Sequence, residues 1–154
     1  ESAGANLSAV TLLRLKSKKM LDPIKGANLI YGSYDARLTP SAIRQEGSDE
    51  IFLLSYAMIR KFRDSYFQGD VDKSLPDVSP IQGDLRGMPP ALFTVGTRDL
   101  LLDDSLFMYG RWLSYCSNAE IVIVPGADHA FNAFPSETTT SVENKISEFV
   151  KSVL

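Results

Sequence analysis

The sequence predicts an α/β fold built on a parallel sheet, and three observations predict it. Short apolar runs, Ala27-Asn28-Leu29-Ile30-Tyr31, Ala91-Leu92-Phe93-Thr94-Val95 and Ile121-Val122-Ile123-Val124, alternate with longer stretches of helical periodicity. Each run stops at Gly32, Gly96 or Pro125-Gly126, as buried parallel strands do where the chain turns toward its next helix. The residues able to do chemistry cluster at such stops, and open α/β sheets gather their reactive groups outside the carboxyl ends of their strands.

Taken in order, residues 4 to 18 carry Leu7, Val10, Leu12, Leu13 and Leu15 among small and polar residues, which predicts a helix with a wide apolar face. The basic run Lys16-Ser17-Lys18-Lys19 falls at its end, where cations suit the helix dipole. It reads as a solvated terminus rather than a recognition patch. The first strand spans 27 to 31. Residues 33 to 50 are rich in Ser, Asp, Pro and Gly and read as a loop. A helix follows at about Ile51 to Phe67, with Leu54, Met58 and Phe62 at helical spacing. A second loop holds Asp77-Val78-Ser79-Pro80 and Gly87-Met88-Pro89-Pro90. After the strand at 91 to 95, Leu102 to Cys116 reads as a helix with Leu106, Tyr109 and Leu113 on one side. The strand Ile121 to Val124 leads to a closing helix, Val142 to Leu154, striped by Val142, Ile146, Phe149 and Val153. No internal repeat or low-complexity linker divides the chain.

The composition excludes several functions. The chain has 154 residues, 44% hydrophobic and 23% charged, enough to bury a sizeable core. A net charge of −3 offers no electrostatic case for nucleic acid or an anionic membrane. No apolar run reaches the roughly 20 residues of a membrane span. The single cysteine, Cys116, can form no disulfide within the chain and reads as a buried structural residue. One cysteine suits a reducing, cytoplasmic compartment. There is no Cys/His metal cluster, phosphate-cradling Gly-Lys loop, H-E-x-x-H or dinucleotide glycine fingerprint. Neither metal nor cofactor is expected.

Three places carry the chemistry. Ser2-Ala3-Gly4 heads the first helix, where a serine hydroxyl meets the positive end of the dipole and free N–H groups. By itself Ser-x-Gly describes a helix-capping serine better than a nucleophile. Gly96-Thr97-Arg98-Asp99 follows the second apolar strand. Asp99 is close enough to the strand end to reach across the sheet, whereas Asp103 and Asp104 suit capping the next helix. Pro125-Gly126-Ala127-Asp128-His129-Ala130-Phe131 holds the only histidine of the chain, after the third strand. Histidine acts as a base near neutral pH with little tuning. The order Ser, Asp, His is that of α/β-hydrolases. Ser2 would be the nucleophile, His129 its general base and acid, and Asp99 the group that orients the imidazole. The N–H of Ala3 would contribute to an oxyanion hole. Asp128 adjoins His129 in the chain and is poorly placed to face it.

The chain resembles the C-terminal half of the hormone-sensitive-lipase-like carboxylesterases. Glu1-Ser2-Ala3-Gly4 with Asn6, Asp77-Val78-Ser79-Pro80, Leu85-Arg86-Gly87-Met88-Pro89-Pro90-Ala91-Leu92, Gly96-Thr97-Arg98-Asp99-Leu100-Leu101-Leu102-Asp103 and the segment around His129 match its pattern in order. The resemblance implies an α/β-hydrolase sheet with flanking helices and the triad Ser2, Asp99 and His129. It implies an ester substrate of short or medium acyl chain, no cofactor, and a helical cap over about residues 45–80. Glu1 stands where the family often has Asp, and Ala130 where Gly usually follows the histidine. The family's His-Gly-Gly loop and the first half of its sheet are absent. The expectation is a partial catalytic domain over residues 1–154, completed by an upstream half and inactive without it, with homo-oligomers possible.

Two other functions remain open on the same residues: a silent hydrolase-fold protein that binds a small ligand, and an amidase or deacetylase. The N-terminal-nucleophile reading fails because residue 1 is Glu and the serine is second.

Overall fold

The computed structural model describes residues 1–47, 53–116 and 118–154. Within them β1 (Ala27–Ile30), β2 (Ala91–Gly96) and β3 (Ala119–Val124) form a parallel sheet in that spatial order. Parallel pairs need long crossovers. The first contains α2 (Pro40–Ile43) and α3 (Tyr56–Tyr66), and the second α4 (Leu102–Leu113). α1 (Ala3–Ser17) precedes the sheet and α5 (Glu137–Val153) follows it. β2 is buried along its whole length, as a central strand must be.

The register aligns Leu29 with Phe93 and Ile121 on one face. There Ala5, Ala9 and Leu12 of α1 and Met108 and Trp112 of α4 share one buried cluster with Leu29 and Phe93. The Phe93 ring meets Trp112 and Tyr34 edge-on, with centroids 5.7 and 6.1 Å apart. The indole N–H of Trp112 donates to the Pro89 carbonyl at 2.9 Å, so this large ring is buried without an unpaired donor. On the opposite face Glu120 aligns with Leu92 and pairs with Lys145 of α5 at 2.8 Å. That contact places α5 on this side, where Leu92 and Thr94 are fully buried.

The elements follow the sequence pattern with informative departures. Leu54 lies before α3, which begins only after Ser55 accepts a hydrogen bond from the Met58 N–H. The buried position of α3 is Ile59, while Met58 and Phe62 are exposed. Ile51 and Phe52, where the helix was expected to begin, lie outside the described residues. In α4 the buried stripe is Ser105, Met108 and Trp112, with Leu113 exposed. Of the expected face Tyr109 does meet the core, its ring 6.0 Å from Phe93, but Trp112 fills the centre beside it. α5 starts five residues earlier than its apolar stripe suggests, because Ser136 caps it by accepting the Thr139 N–H at 3.0 Å. The short helix α2 interrupts the segment read as a loop. The basic run is partly engaged: Lys16 pairs with Asp84 at 2.9 Å. Cys116 is partly buried against the main core. Among the described residues no helix is long and apolar enough to cross a membrane.

Candidate active site

Ser2 stands at the head of α1 with φ 50° and ψ −123°, a conformation that non-glycine residues seldom adopt. Its N–H donates to the Ile30 carbonyl at 2.9 Å, which fastens the start of α1 to the end of β1. Although Ser2 occupies the capping position, its side chain makes no capping bond. The hydroxyl oxygen instead lies 3.0 Å from Nε2 of His129.

Asp99 sits on the turn between β2 and α4 and is 2% exposed. Its two oxygens have different tasks. Oδ1 accepts the Leu101 N–H at 2.8 Å, and Oδ2 lies 2.8 Å from Nδ1 of His129. Ser2, His129 and Asp99 therefore form one continuous hydrogen-bonded chain, assembled from three loops. The other acidic candidates are engaged elsewhere. Asp128 pairs with Arg98 at 3.1 Å. Neither Asp103 nor Asp104 caps α4, whose first cap residue is Leu101. Asp103 accepts the Ser41 N–H at 2.8 Å. Asp104 accepts from the N–H groups of Tyr34 and Asp35 and from the Thr39 hydroxyl. Burial pushes the Asp104 carboxyl up to about 6, against the pull of those three donors.

The loops are laced together by backbone. Thr97 N–H donates to Val124 O, and Arg98 N–H to Ala127 O, both at 3.0 Å. Gly126 N–H donates to the Thr97 hydroxyl at 2.8 Å. Gly96 lets the histidine loop pass closely: a Cβ there would lie 2.1 Å from the Ala127 carbonyl oxygen. Ala130, beside the histidine, adopts the left-handed region with φ 59°.

A second set of polar residues reaches the imidazole through Tyr31, and only the structure reveals it. Tyr31, the last apolar residue before Gly32, leaves β1 with φ 36° and lays its ring against His129, with centroids 4.6 Å apart. Its hydroxyl donates to Oε2 of Glu1 at 2.8 Å and also faces Oδ1 of Asn132. The Asn132 amide donates to the same Glu1 oxygen at 3.1 Å. These donors, Asn132 first, hold the Glu1 carboxyl below its ordinary value, and His129 adds to the effect. Burial and then the Glu1 bond push the Tyr31 phenol well above its own. The adjacency of Glu1 to Ser2 was the one signal in the sequence that pointed to this set.

Ser2 and His129 open onto a cavity of about 390 Å³, lined chiefly by apolar side chains that include Leu7, Leu54, Met58, Phe62 and Leu101. Among the described residues no group of three or more His, Cys, Asp or Glu side chains is placed to hold a metal ion.

Comparison with known proteins places the fold. Residues 1–133 match the model of the alpha/beta hydrolase fold family. An esterase from Acinetobacter venetianus is 37% identical over 105 residues, which cover 68% of this chain and 34% of that protein. The structure of a hyperthermophilic esterase from the archaeon Pyrobaculum calidifontis superposes with a TM-score of 0.90 at 28% identity, covering 99% of this chain and 49% of that one. A hormone-sensitive lipase from a metagenome library superposes with a TM-score of 0.86 at 25% identity, covering 99% and 52%. The chain thus spans about a third of this curated relative's length and about half that of these solved structures.

Proposed function

We propose, from the premise that this chain belongs to the alpha/beta hydrolase fold family, that it carries the catalytic triad of a serine carboxylesterase acting on short or medium acyl chains. The observation that carries this reading is the Ser2–His129–Asp99 hydrogen-bonded chain at the mouth of an apolar cavity. The likeness to proteins described as esterases supports the ester bond as its target.

The chemistry follows from the placement. A serine hydroxyl is a weak nucleophile until a base takes its proton. Asp99 holds the imidazole with Nδ1–H toward itself, which leaves the Nε2 lone pair facing the hydroxyl. As Oγ bonds to the ester carbon, its proton passes to Nε2 and the carbonyl electrons move onto oxygen. The Ala3 N–H, in the first turn of α1 where N–H groups lack an intrahelical acceptor, would stabilise that oxyanion. The C–O bond to the alcohol then breaks, and His129 returns the proton to the leaving oxygen. A water activated by the same imidazole releases the acid. The strained backbone of Ser2 lifts the hydroxyl off the helix axis toward the base, a use of strain found at reacting residues.

In the same reading α3 belongs to a cap-like segment at about 45–80, with Met58 and Phe62 bordering the acyl pocket. Segments outside these 154 residues complete the catalytic domain, as the coverage of the relatives supports.

The test is hydrolysis of p-nitrophenyl esters from acetate to decanoate by the complete protein, with Ser2→Ala beside it. We expect turnover to peak at a short or medium chain and to fall by about 10⁴ or more in the variant. A folded protein that cleaves no ester would shift the assignment to an amide substrate or a bound ligand.

A further inference from the structure

Three polar side chains far apart in sequence, Glu1, Tyr31 and Asn132, bond to one another, and Tyr31 lays its ring against His129, which Asp99 and Ser2 hold only through its ring nitrogens. The triad bonds fix the imidazole within its own plane, since both lie along its ring nitrogens. They do little to resist tilting out of that plane. Tyr31 supplies the missing restraint, because its ring lies against the imidazole at 4.6 Å with the planes 56° apart. Tyr31 is itself pinned at both ends. Its backbone N–H donates to the Thr94 carbonyl at 2.6 Å, and its phenol donates to Glu1. It is 1% exposed, and Phe131 meets its ring edge-on at 6.1 Å.

The charges around the imidazole are unequal. Asp99 bonds it from the β2–α4 turn, and Glu1, the residue ahead of Ser2, interacts with it electrostatically from behind the neutral Tyr31 at the end of β1. Asp128, on the histidine loop itself, is already paired with Arg98. Asp99 and Glu1 are therefore the carboxylates whose charge is directed at this ring. An imidazolium that forms during acyl transfer is favoured by each.

We infer that the Glu1 carboxylate, held by Tyr31 and Asn132, is a positioning residue for His129: it locks the Tyr31 ring against the imidazole and sets a second negative charge beside it. This rests on the esterase reading for its effect on turnover, though not for its effect on the imidazole. A purely structural tie between the head of α1 and the histidine loop would need the hydrogen bonds but not the charge. Glu1→Gln separates the two, because the amide oxygen can still accept from Tyr31 and Asn132. Glu1→Asp keeps the charge.

The experiment uses the complete protein and two readouts. For turnover, Glu1→Gln is expected to lower kcat about tenfold with KM within about twofold, and to move the acidic limb of the kcat/KM profile to lower pH. Glu1→Asp should restore most of both. Tyr31→Phe should lower kcat in the same way, and the double variant should be no worse than the poorer single, as expected of one linked unit. The second readout needs no turnover: NMR titration of the His129 imidazole in the Ser2→Ala background. Its curve should move to lower pH with Glu1→Gln and stay in place with Glu1→Asp. An unchanged titration curve in folded Glu1→Gln overturns the inference, and so does an unchanged kcat in an active enzyme. A curve that moves in a protein that cleaves no ester supports the inference and sinks the esterase reading instead.

Discussion

The two sides of the candidate site are built differently. Around Ser2, Asp99 and His129 every approach is fixed by backbone: the Ser2 N–H on Ile30, the Arg98 N–H on Ala127, and the bare Cα of Gly96 beneath the Ala127 carbonyl. Across the cavity, α3 presents Met58 and Phe62 at 40% and 56% exposure and buries only Ile59 within its length. One side is held by short, directional contacts that tolerate no added atom. The other is a set of side chains resting on a small cluster of Ala42, Leu54, Ile59, Leu100 and Leu101. Position is therefore set at the sheet end, and shape at the helix. Changes at the sheet end should alter turnover on all substrates alike, while changes on α3 should redistribute it among them.

Apart from loss of the Ser2 hydroxyl itself, the largest effect should come from Gly96→Ala. The new methyl meets backbone at 2.1 Å and must push the histidine loop off Asp99. We expect kcat/KM to fall about 100-fold on every ester, with a stability loss of about 2 kcal/mol read from urea denaturation. A selective loss, on long esters only, would break the division between the two sides.

Asp104 tests how the sheet end is anchored to the chain before α2. Its carboxyl is raised to about 6 by burial, so the folded state binds this proton more tightly than the unfolded chain does. The contribution is therefore fully present below the ordinary carboxylate value of about 4 and is lost as pH rises through about 6. Relative to Asp104→Asn, the parent should lose on the order of 2 kcal/mol across that window. Thermal or denaturant unfolding of the pair between pH 4 and 7 checks it. A difference that grows in the opposite direction would mean that the three donors, not burial, dominate this carboxyl.

On the other side, Phe62→Ala should leave stability nearly unchanged, because the ring is already exposed. It should shift the preferred acyl chain, changing the ratio of decanoate to acetate turnover about tenfold. An equal loss on both esters would show that α3 also governs the triad. The smallest effect belongs to Ala130→Gly. The left-handed φ of 59° strains alanine but not glycine, so the variant should gain about 0.5–1 kcal/mol in thermal unfolding with unaltered chain-length preference.

Much of the fold was legible because it rests on local pattern. The strands at 27, 91 and 121 announced themselves as apolar runs stopped by glycine or proline, and the sheet is parallel as their alternation with helices requires. The face of α4 was not legible. Leu106 and Leu113 are as apolar as Met108, and only the space beside Phe93, which Trp112 and part of Tyr109 fill, decides which side chains are buried. The start of α5 was missed for a related reason, since a polar first turn held by the Ser136 cap carries no apolar period.

The same division holds for the candidate site. By itself the sequence singled out Ser2, Asp99 and His129 as candidates, which the fold brings within hydrogen-bond distance. A lone histidine, an aspartate past a strand and a serine among small residues are chemically distinct and stand at element boundaries that local periodicity reveals. Only the tertiary structure decided what surrounds them. It turned Ser2 from a capping residue toward Nε2, drew Asp103 and Asp104 to the chain around α2, and brought Glu1, Tyr31 and Asn132 together. Those choices depend on contacts between residues 30 to 131 positions apart. Their energies come from burial and hydrogen-bond geometry, which no local pattern of residue types encodes.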